Sequence, residues 1–353
     1  MLDKIKEKSI WEVLKETEKP VVLYGMGNGA DMIMEVLDEI GVKVADIFAS
    51  DNFVRGHFFH GFKVKKYSEI EEKYNDFIIV MTFAVHDEAM LEFVREMNKQ
   101  HLVLSPTVPI AGKGLFTLDY IRENEKLFDI VYEMLADEKS KSDFVDILNF
   151  KISGKIEYLF HCQSEKSDLY DTIFPLIEYE TIVDLGAYDG DTIREFLSVT
   201  GGKYKKIFAF EADEKNFKKL CRKTEELPNI IRYNIGAWDK KETLFFEKKG
   251  GRNSRQGECG IKMNFDALDS IIDEEITFIK MDIEGAEKKA IIGAENLIKR
   301  YKPKLYICAY HRNEDAFALP MLIKSICPDY KIYYRHHPYI PAWESNFYCI
   351  AEA

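Results

Sequence analysis

Glycines and carboxylates lie close together near the middle of the chain, in Gly186–Thr192, which reads Gly-Ala-Tyr-Asp-Gly-Asp-Thr. The apolar run Thr181–Leu185 precedes this segment, and a second apolar run, Ile207–Phe210, ends at Glu211. This order of elements (strand, glycine turn, helix, strand, acidic residue) is typical of parallel α/β sheets that bind an adenosine-containing cofactor. The glycines let the backbone approach a ligand, and Glu211 is placed to accept hydrogen bonds from ribose hydroxyls.

The charge of this turn distinguishes it from the fingerprint of dinucleotide-binding proteins. Asp189 and Asp191 would repel a pyrophosphate. S-adenosylmethionine (SAM) has no phosphate and carries a sulfonium cation, so electrostatics favours SAM over NAD at this turn.

Two motifs in this chain resemble those of a known family. Residues 181–192 resemble motif I of class I methyltransferases, and specifically of the FkbM family of SAM-dependent methyltransferases. That family commonly has the same glycine turn and an Asp-Ile/Val-Glu-Gly-Ala-Glu motif, which residues 282–287 match. The resemblance covers roughly residues 160–353. It implies a Rossmann-like sheet of seven strands, SAM as the cofactor, and methyl transfer to a hydroxyl of a sugar or glycosylated metabolite.

The glycine turn and the resemblance together predict the residues that bind the cofactor. In class I methyltransferases a third turn, here Gly236–Asp239, borders the adenine. There Ala237 and Trp238 could supply backbone N–H groups and an apolar face, and Asp239 could accept from the amino group. Core packing is the alternative for Trp238. The other predicted cofactor-binding residues are Asp184, Gly186, Ala187, Tyr188, Asp189, Gly190, Thr192, Glu211, Ala212 and Asp282.

Three titratable residues are the candidate catalytic residues, because they are expected beyond the carboxyl ends of the strands. His311 is the first candidate for a general base, since histidine titrates near neutrality. A structural histidine is the alternative, because the family often has a glutamate before this histidine and Ala309-Tyr310-His311 lacks it. Asp282 and Glu284 are the other two, and we expect one to face the donor methyl and the other to brace the turn.

Other features of this half suggest how an acceptor could bind. Arg335-His336-His337 is a candidate acceptor clamp at a strand end, among aromatic residues that suit a sugar. Residues 247–263 predict a mobile loop, whose cations could meet an anionic acceptor or simply face solvent. We expect no metal, because no ligand cluster of recognisable spacing demands one, although Asp282 with nearby carboxylates is an alternative.

A second glycine turn lies near the N-terminus. Gly25, Gly27 and Ala30 have the GxGxxG/A spacing of a Rossmann-type turn, and strands are predicted at residues 44–48 and 77–81. This pattern predicts a separate Rossmann-like α/β domain, which resembles the nucleotide-binding N-terminal domains of sugar-modifying acyltransferases. The turn could bind a nucleotide or nucleotide sugar, or be purely structural.

Length and composition set the broader class. A chain of 353 residues suggests two domains. We predict an N-terminal Rossmann-like domain at residues 1–111, a helical connector at 112–160 and a methyltransferase domain at 161–353. With 46% hydrophobic and 31% charged residues the composition is that of a soluble globular protein.

Charge and cysteine content narrow the location and the partners. The net charge of −12 argues against nucleic-acid binding. The six cysteines form no CxxC pair, and no apolar run approaches the ~20 residues of a membrane span. Together with the charged N-terminus, these features predict a cytoplasmic protein. The sequence leaves the oligomeric state open, and a homo-oligomer is one possibility.

Two other functions remain as alternatives. One is an NAD-dependent oxidoreductase that uses the N-terminal glycine turn, although no Tyr-x-x-x-Lys or second dehydrogenase motif is evident. The other is a non-catalytic protein that only binds SAM or a nucleotide sugar.

Overall fold

The computed structural model of the protein describes residues 1–109, 111–248, 254–256 and 260–351. It has a mixed α/β fold with two principal sheets. The α/β class, with a Rossmann-like N-terminal sheet and a C-terminal sheet of seven strands, is confirmed. The domain boundaries at residues 111 and 160 stay a prediction.

A parallel sheet of four strands forms the N-terminal part. Its order is β2 (Val44–Phe48), β1 (Val21–Tyr24), β5 (Ile78–Met81) and β6 (Leu102–Leu104). Strands β1 and β5 are buried along their whole length, as expected for apolar strands covered on both faces. The hairpin and helices of this part are β3 (Phe58–Phe59), β4 (Phe62–Lys63), α1 (Ile10–Glu16), α2 (Asn28–Glu39), α3 (Tyr67–Lys73) and α4 (Glu88–Gln100).

The sheet of seven strands forms the C-terminal half. Its order is β16 (Tyr330–His336), β17 (Ser345–Ala351), β15 (Lys304–Cys308), β14 (Phe278–Met281), β7 (Thr181–Leu185), β8 (Lys206–Phe210) and β9 (Ile230–Tyr233). Strand β17 runs antiparallel to both of its neighbours, and the other pairs are parallel. The predicted strand count and the antiparallel pair at the end are therefore confirmed. The helices of this half are α10 (Asp191–Val199), α11 (Glu214–Lys223), α12 (Glu287–Gly293), α13 (Glu295–Tyr301) and α14 (Asp315–Ile326).

A small third sheet lies between β9 and β14 in the chain. Its order is β10 (Gly236–Ala237), β13 (Ile261–Asp266), β11 (Glu242–Lys248) and β12 (Ser254–Gln256). The segment predicted as a loop at residues 247–263 is described in part: its described residues belong mostly to β11, β12 and β13, which corrects the prediction there, and residues 249–253 and 257–259 lie outside the described residues. The role of its cations stays a prediction.

Five helices connect the two principal sheets: α5 (Leu118–Glu123), α6 (Glu125–Met134), α7 (Glu138–Ser153), α8 (Glu157–Cys162) and α9 (Lys166–Thr172). Helix α7 begins where the Asp137 carboxylate accepts from the Ser140 N–H at 2.7 Å, and it ends at Gly154 in the left-handed conformation. Its buried side chains, Phe144 and Ile147 among them, belong to a core that also includes Val22 of β1. The connector therefore packs on both parts of the protein.

The N-terminal part also contacts the carboxyl ends of the C-terminal strands. Val85, just after β5, exchanges two backbone hydrogen bonds with Ile340, of 2.7 and 2.8 Å. The backbone N–H of Ala111 donates to the carbonyl oxygen of His311 at 3.0 Å. The chain that leaves the N-terminal sheet is thus fixed against the end of β15.

Arg335, His336 and His337 lie in the protein interior, so the predicted acceptor clamp is wrong. Helix α7 and the segment after α8 cover β16, which the local sequence does not reveal. His337 forms hydrogen bonds through Nδ1 with the carbonyl oxygen of Ser164 and through Nε2 with the hydroxyl of Tyr348, at 2.7 and 2.6 Å. Burial lowers the pKa of His336 to about 3 and that of His337 to about 4, so both imidazoles are neutral at neutral pH.

Two expectations from composition can be compared with the described residues. All five described cysteines are free thiols. Within the described parts of the chain, no helix combines the length and the apolar character that a membrane crossing requires. The cytoplasmic location stays a prediction.

The buried guanidinium of Arg335 fastens β16 to α7, since it donates to Ser140 Oγ at 2.7 Å and to Asp137 Oδ2 at 2.6 Å. We expect Arg335→Ala to lower the free energy of unfolding by about 3 kcal/mol, because a half-buried carboxylate loses its cation. Urea denaturation followed by circular dichroism measures this. Arg222→Ala, at an exposed position of α11, is the control. Equal losses in the two variants would contradict this role.

Candidate active site

The predicted glycine turn follows β7 and approaches two neighbouring strands. The backbone N–H groups of Gly186 and Ala187 both donate to the carbonyl oxygen of Phe210, at 3.0 and 2.9 Å. Gly186 has φ +82°, and a Cβ there would lie 1.9 Å from the carbonyl oxygen of Asp282. Only glycine allows this close approach, which joins the ends of β7, β8 and β14. Gly190, with φ +86°, then begins α10.

Glu211 is held against this turn by backbone donors. One carboxylate oxygen accepts from the Tyr188 N–H at 2.9 Å and the other from the Asp213 N–H at 2.8 Å. Burial raises the pKa of Glu211 to about 7, although these backbone donors lower it. Each carboxylate oxygen can accept a further hydrogen bond, so the arrangement leaves capacity for ribose hydroxyls. The adjacent Ala212 stays in place because the Asn234 side-chain amide donates to its carbonyl oxygen at 3.2 Å.

Asp184, which lies in β7 just before the glycine turn, is fully buried. Neither of its carboxylate oxygens has a hydrogen-bond partner among the described residues. Burial raises the pKa of Asp184 to about 7, although the Lys280 ammonium lowers it. That ammonium donates instead to Thr192 Oγ1 at 2.7 Å. Because an unpaired buried carboxylate is costly, it indicates a place where a ligand supplies the missing partner.

Asp189, another carboxylate of the turn, is paired with cations. It accepts from Arg194 at 3.1 Å and also from Lys223. These cations lower the pKa of Asp189 in spite of the opposing effect of burial. The charge that this residue offers to a ligand is therefore smaller than the sequence suggests.

The third turn is only partly available to a ligand. The Trp238 N–H donates to the carbonyl oxygen of Asp266 at 2.9 Å, and the indole packs on Phe265 with ring centroids 5.4 Å apart. The predicted backbone contact from Trp238 is therefore already used within the protein. Asp239 accepts from Lys289 at 2.5 Å through one oxygen, and its other oxygen is buried without a partner in the described residues. That oxygen remains able to accept from an amino group.

The three candidate catalytic residues come together at the ends of β14 and β15. His311 Nε2 lies 3.5 Å from Asp282 Oδ1 and 3.7 Å from Glu284 Oε2. Both carboxylates therefore face the same nitrogen, and which of them faces the donor methyl and which braces the turn stays a prediction. Glu287 also braces the turn, since its Oε1 accepts from the Ile283 N–H at 3.0 Å.

The charge on His311 also differs from the expectation. The imidazole is 2% exposed, and Nδ1 lies 3.0 Å from Glu287 Oε1. Burial lowers the pKa of His311, but Glu287, Asp282 and Glu284 together raise it to about 10. The ring is therefore an imidazolium at neutral pH, where the sequence predicted titration near neutrality.

Asp282 and Glu284 differ in their surroundings. Asp282 accepts from the Tyr310 hydroxyl at 3.1 Å, with Lys280 Nζ 3.6 Å away. Burial raises the pKa of Asp282, but Lys280 and His311 outweigh it and lower the pKa below its ordinary value. The side chain of Glu284 is 57% exposed, and its backbone has φ +55°, which is uncommon for a residue other than glycine. Such strain is often found at functional sites.

The comparisons with known proteins agree with this geometry. Residues 184–330 match the family model described as the methyltransferase FkbM domain. Residues 184–330 are therefore similar to an FkbM methyltransferase domain, and methyl transfer is the chemistry that this similarity supports. A search of curated protein sequences found no match.

A solved structure of methyltransferase FkbM from Methylobacillus flagellatus KT is similar over nearly the whole chain. It is 25% identical, the match covers 96% of this chain and 92% of that chain, and the TM-score is 0.74. Fibrillarin from Aeropyrum pernix with natively bound SAM is 15% identical, over 53% of this chain and 73% of that chain, with a TM-score of 0.34. A candidate methyltransferase from Streptococcus mutans in complex with SAH is 14% identical, over 54% and 99%, with a TM-score of 0.37. With TM-scores this low, neither of the last two similarities supports a functional conclusion.

Sequence reasoning missed two charged residues of this region. Glu287 belongs to the motif at residues 282–287, but its contact with His311 depends on long-range packing that the motif does not reveal. Lys280 lies in an apolar strand, where a charged residue is itself the signal of a special environment. Both are buried beside the predicted site residues.

One group of described residues has the composition of a metal site. Ligand atoms of Glu287, His311 and Asp315 lie within 4.8 Å of one another, and all three residues are buried. The sequence identified no such cluster, because its members come from α12, α14 and the end of β15. Metal independence stays a prediction.

The N-terminal glycine turn has a well-defined structural role. A Cβ at Gly25 would lie 2.6 Å from the Phe83 side chain, and one at Gly29 would lie 2.1 Å from the carbonyl oxygen of Thr82. Gly29, rather than Ala30, thus lets α2 approach β5. An open crevice of about 520 Å³ lies beside the turn, lined by Met26, Phe53, Arg55 and His57. A nucleotide ligand there stays a prediction.

The close approach of Gly186 to the Asp282 carbonyl can be tested against a matched glycine. Gly202 has φ +80°, but a Cβ there would meet no atom within 4 Å. We expect Gly202→Ala to cost about 1–2 kcal/mol of unfolding free energy, from the backbone conformation alone. Gly186→Ala should cost roughly 1–3 kcal/mol more, because the added methyl group displaces the β14 turn. Urea denaturation of both variants measures the difference, and equal losses would contradict the packing argument.

Proposed function

We propose that the protein is a SAM-dependent O-methyltransferase whose acceptor is a hydroxyl of a sugar or glycosylated metabolite. The observation that carries the choice of cofactor is Asp184, a fully buried carboxylate beside the glycine turn without a partner in the described residues. The methionyl part of SAM has an ammonium and a sulfonium group, which would supply the missing cation. A dinucleotide would instead bring a pyrophosphate to the same turn.

The residues around the turn fit SAM in two further ways. Glu211 has both carboxylate oxygens fixed by backbone donors at the end of β8, where a ribose would lie. Asp239 keeps one buried carboxylate oxygen without a partner in the described part of the chain, which suits the adenine amino group. The close backbone approach at Gly186 leaves this side of the turn without a side chain.

SAM, when bound, supplies an electrophilic methyl group: as the acceptor oxygen bonds the methyl carbon, the carbon–sulfur bond breaks and its electron pair stays on the thioether sulfur. The protein's own task is to align the acceptor and to accept its proton. Good alignment can contribute on the order of 7–11 kcal/mol in the best model systems. Asp282, Glu284 and His311 are the groups at the strand ends that could orient the hydroxyl and handle the proton.

Aromatic rings support a sugar as the acceptor. The imidazole of His86 stacks on Tyr339, with centroids 5.6 Å apart, and Tyr339 lies 6.1 Å from Trp343. This group joins the segment after β5 to the loop between β16 and β17, at the carboxyl ends of both sheets. Aromatic faces beside a few polar groups are typical of sugar-binding sites.

The cofactor assignment predicts which fragment of SAM each carboxylate recognises. We expect Asp184→Asn to weaken SAM binding roughly 30-fold, about 2 kcal/mol, because the cation loses its buried partner. Binding of 5′-methylthioadenosine, which lacks the ammonium and sulfonium groups, should change less than about twofold. Glu211→Gln should weaken both ligands, since both contain the ribose. Isothermal titration calorimetry measures the affinities, with Asp273→Asn on the surface as the control.

Other patterns in that experiment would favour the alternatives. NAD binding that persists in Asp184→Asn, without any SAM binding, would favour the oxidoreductase. Equal losses of SAM and 5′-methylthioadenosine in Asp184→Asn would contradict the pairing of Asp184 with the cationic part.

The same carboxylates predict a pH dependence of SAM binding. Burial raises the pKa values of Asp184 and Glu211 to about 7, so both carboxyl groups become protonated as the pH falls below 7. A cationic ligand binds the ionised form, so we expect SAM affinity to rise roughly tenfold from pH 5.5 to 7. The dependence should be weaker in Asp184→Asn. Calorimetry across this range measures it, and an affinity that falls with rising pH would contradict the assignment.

The acceptor class calls for a direct assay. We expect the tritiated methyl group of SAM to appear as an O-methyl ether in a panel of sugars, nucleotide sugars and glycans. Deoxy analogues that lack the methylated hydroxyl should remain unlabelled, and Asp184→Asn should lose most of the transfer. SAM binding without transfer to any panel member would favour the non-catalytic binding protein, and label on nitrogen or carbon would contradict O-methylation.

A further inference from the structure

The imidazole of His311 is enclosed by carboxylates on both of its nitrogen sides. Nδ1 lies 3.0 Å from Glu287 Oε1, within ion-pair distance but without hydrogen-bond geometry among the described residues, while Nε2 faces Asp282 and Glu284 at 3.5 and 3.7 Å. Only the Nε2 side leads toward solvent, because Glu284 is 57% exposed whereas Glu287 is fully buried. The two sides of the ring therefore have different roles.

Glu287 is itself held firmly. The oxygen that faces His311 also accepts from the backbone N–H groups of Ile283 and Gly285, at 3.0 and 3.4 Å. One carboxylate oxygen thus joins the turn after β14 to the histidine after β15. The other oxygen is buried without a partner in the described residues. A carboxylate so placed needs a nearby cation, and the imidazolium provides one.

The charges beyond this pair decide between a proton and a metal ion. Asp315 of α14 completes the possible metal cluster. Burial raises the pKa of Asp315, although His311 and the buried ammonium of Lys151 from α7 oppose the rise. Arg312 adds a further cation beside the turn and donates through Nε to the carbonyl oxygen of Gly285 at 2.7 Å. On the other side, Lys280 faces Asp282. Cations therefore already balance these carboxylates, which favours a proton on Nδ1 over a divalent metal.

We propose that Glu287 is a positioning residue that holds His311 as an imidazolium with Nε2 toward Asp282 and Glu284. His311 then does not take the proton of the acceptor. This inference rests on the proposed methyl transfer. In that reaction the acceptor oxygen bonds the methyl carbon, the carbon–sulfur bond breaks with its electron pair going to sulfur, and the hydroxyl proton passes to the carboxylate of Glu284. The imidazolium stabilises that carboxylate by charge and orients it.

The charge state of the ring can be measured without an acceptor. Long-range ¹H–¹⁵N spectra of histidine-labelled protein, from pH 6 to 10, report whether each imidazole carries one proton or two. His311→Asn assigns the signal by its loss. We expect His311 to stay doubly protonated through pH 8 in the unmodified protein. In Glu287→Gln its pKa should fall by about 1–3 units, because an adjacent negative charge is removed.

Two further variants make the test specific to Glu287. Glu287→Asp keeps the charge and should retain part of the raised pKa. Glu295→Gln removes a carboxylate that pairs with Lys299 within α13 and should leave His311 unchanged. If Glu287→Gln does not fold, the titration of the unmodified protein and of Glu287→Asp still tests the proposal.

Several results would overturn the inference. A neutral His311 ring at pH 7.5 would do so, as would an unchanged titration in Glu287→Gln. Elemental analysis could instead find one equivalent of a divalent metal in the purified protein and none in Glu287→Gln. That result would mean that Glu287 coordinates a metal and does not position His311. Calorimetry with S-adenosylhomocysteine on the same samples tests the proposed function separately from the charge state of His311. If this ligand does not bind, the cofactor assignment is refuted, but the measured protonation of the ring still stands.

Discussion

The close approach of Gly186 to the carbonyl oxygen of Asp282 is the constraint on which the site depends. A Cβ would lie 1.9 Å from that oxygen, so the ends of β7 and β14 meet without any side chain between them. The approach brings the carboxylates beside the glycine turn, Asp184 of β7 and Glu211 after β8, close to the motif that begins at Asp282. One backbone contact thus places the proposed cofactor site and the candidate catalytic residues on the same edge of the sheet, where open α/β sheets bind ligands.

Burial of charge gives this edge its chemical character. Asp184, Lys280, Glu287 and His311 are all less than a tenth exposed, and their pairing offsets only part of the cost of removing charges from water. An apolar set of the same volume would stabilise the fold as well or better. A group of buried charges at the carboxyl ends of the strands is therefore better explained by a function than by stability. The same low dielectric that makes these groups costly makes their effect on a bound cation strong.

The sequence predicts the fold better than it predicts the site. Buried parallel strands appear as apolar runs, and the position of Glu211 after such a run follows from the local pattern alone. By contrast, the burial of His337 depends on α7 and the segment after α8, which are distant in sequence from β16. The charge on His311 likewise depends on Glu287, more than twenty residues earlier, and no local pattern predicts that distance. Long-range packing decides both cases.

The N-terminal part bears on the proposed chemistry, because it contacts the end of β15 rather than a remote surface. The Ala111 N–H binds the carbonyl oxygen of His311, and the Asn313 amide donates to the carbonyl oxygen of Gly114 at 3.0 Å. Ala111 also packs beside Gly285, in the turn that presents Glu284. Because these contacts cover one side of the strand ends, an acceptor in the proposed reaction would approach Glu284 from the side that remains exposed. Under that proposal the N-terminal part limits the shape of the acceptor, whether or not its own glycine turn binds a ligand.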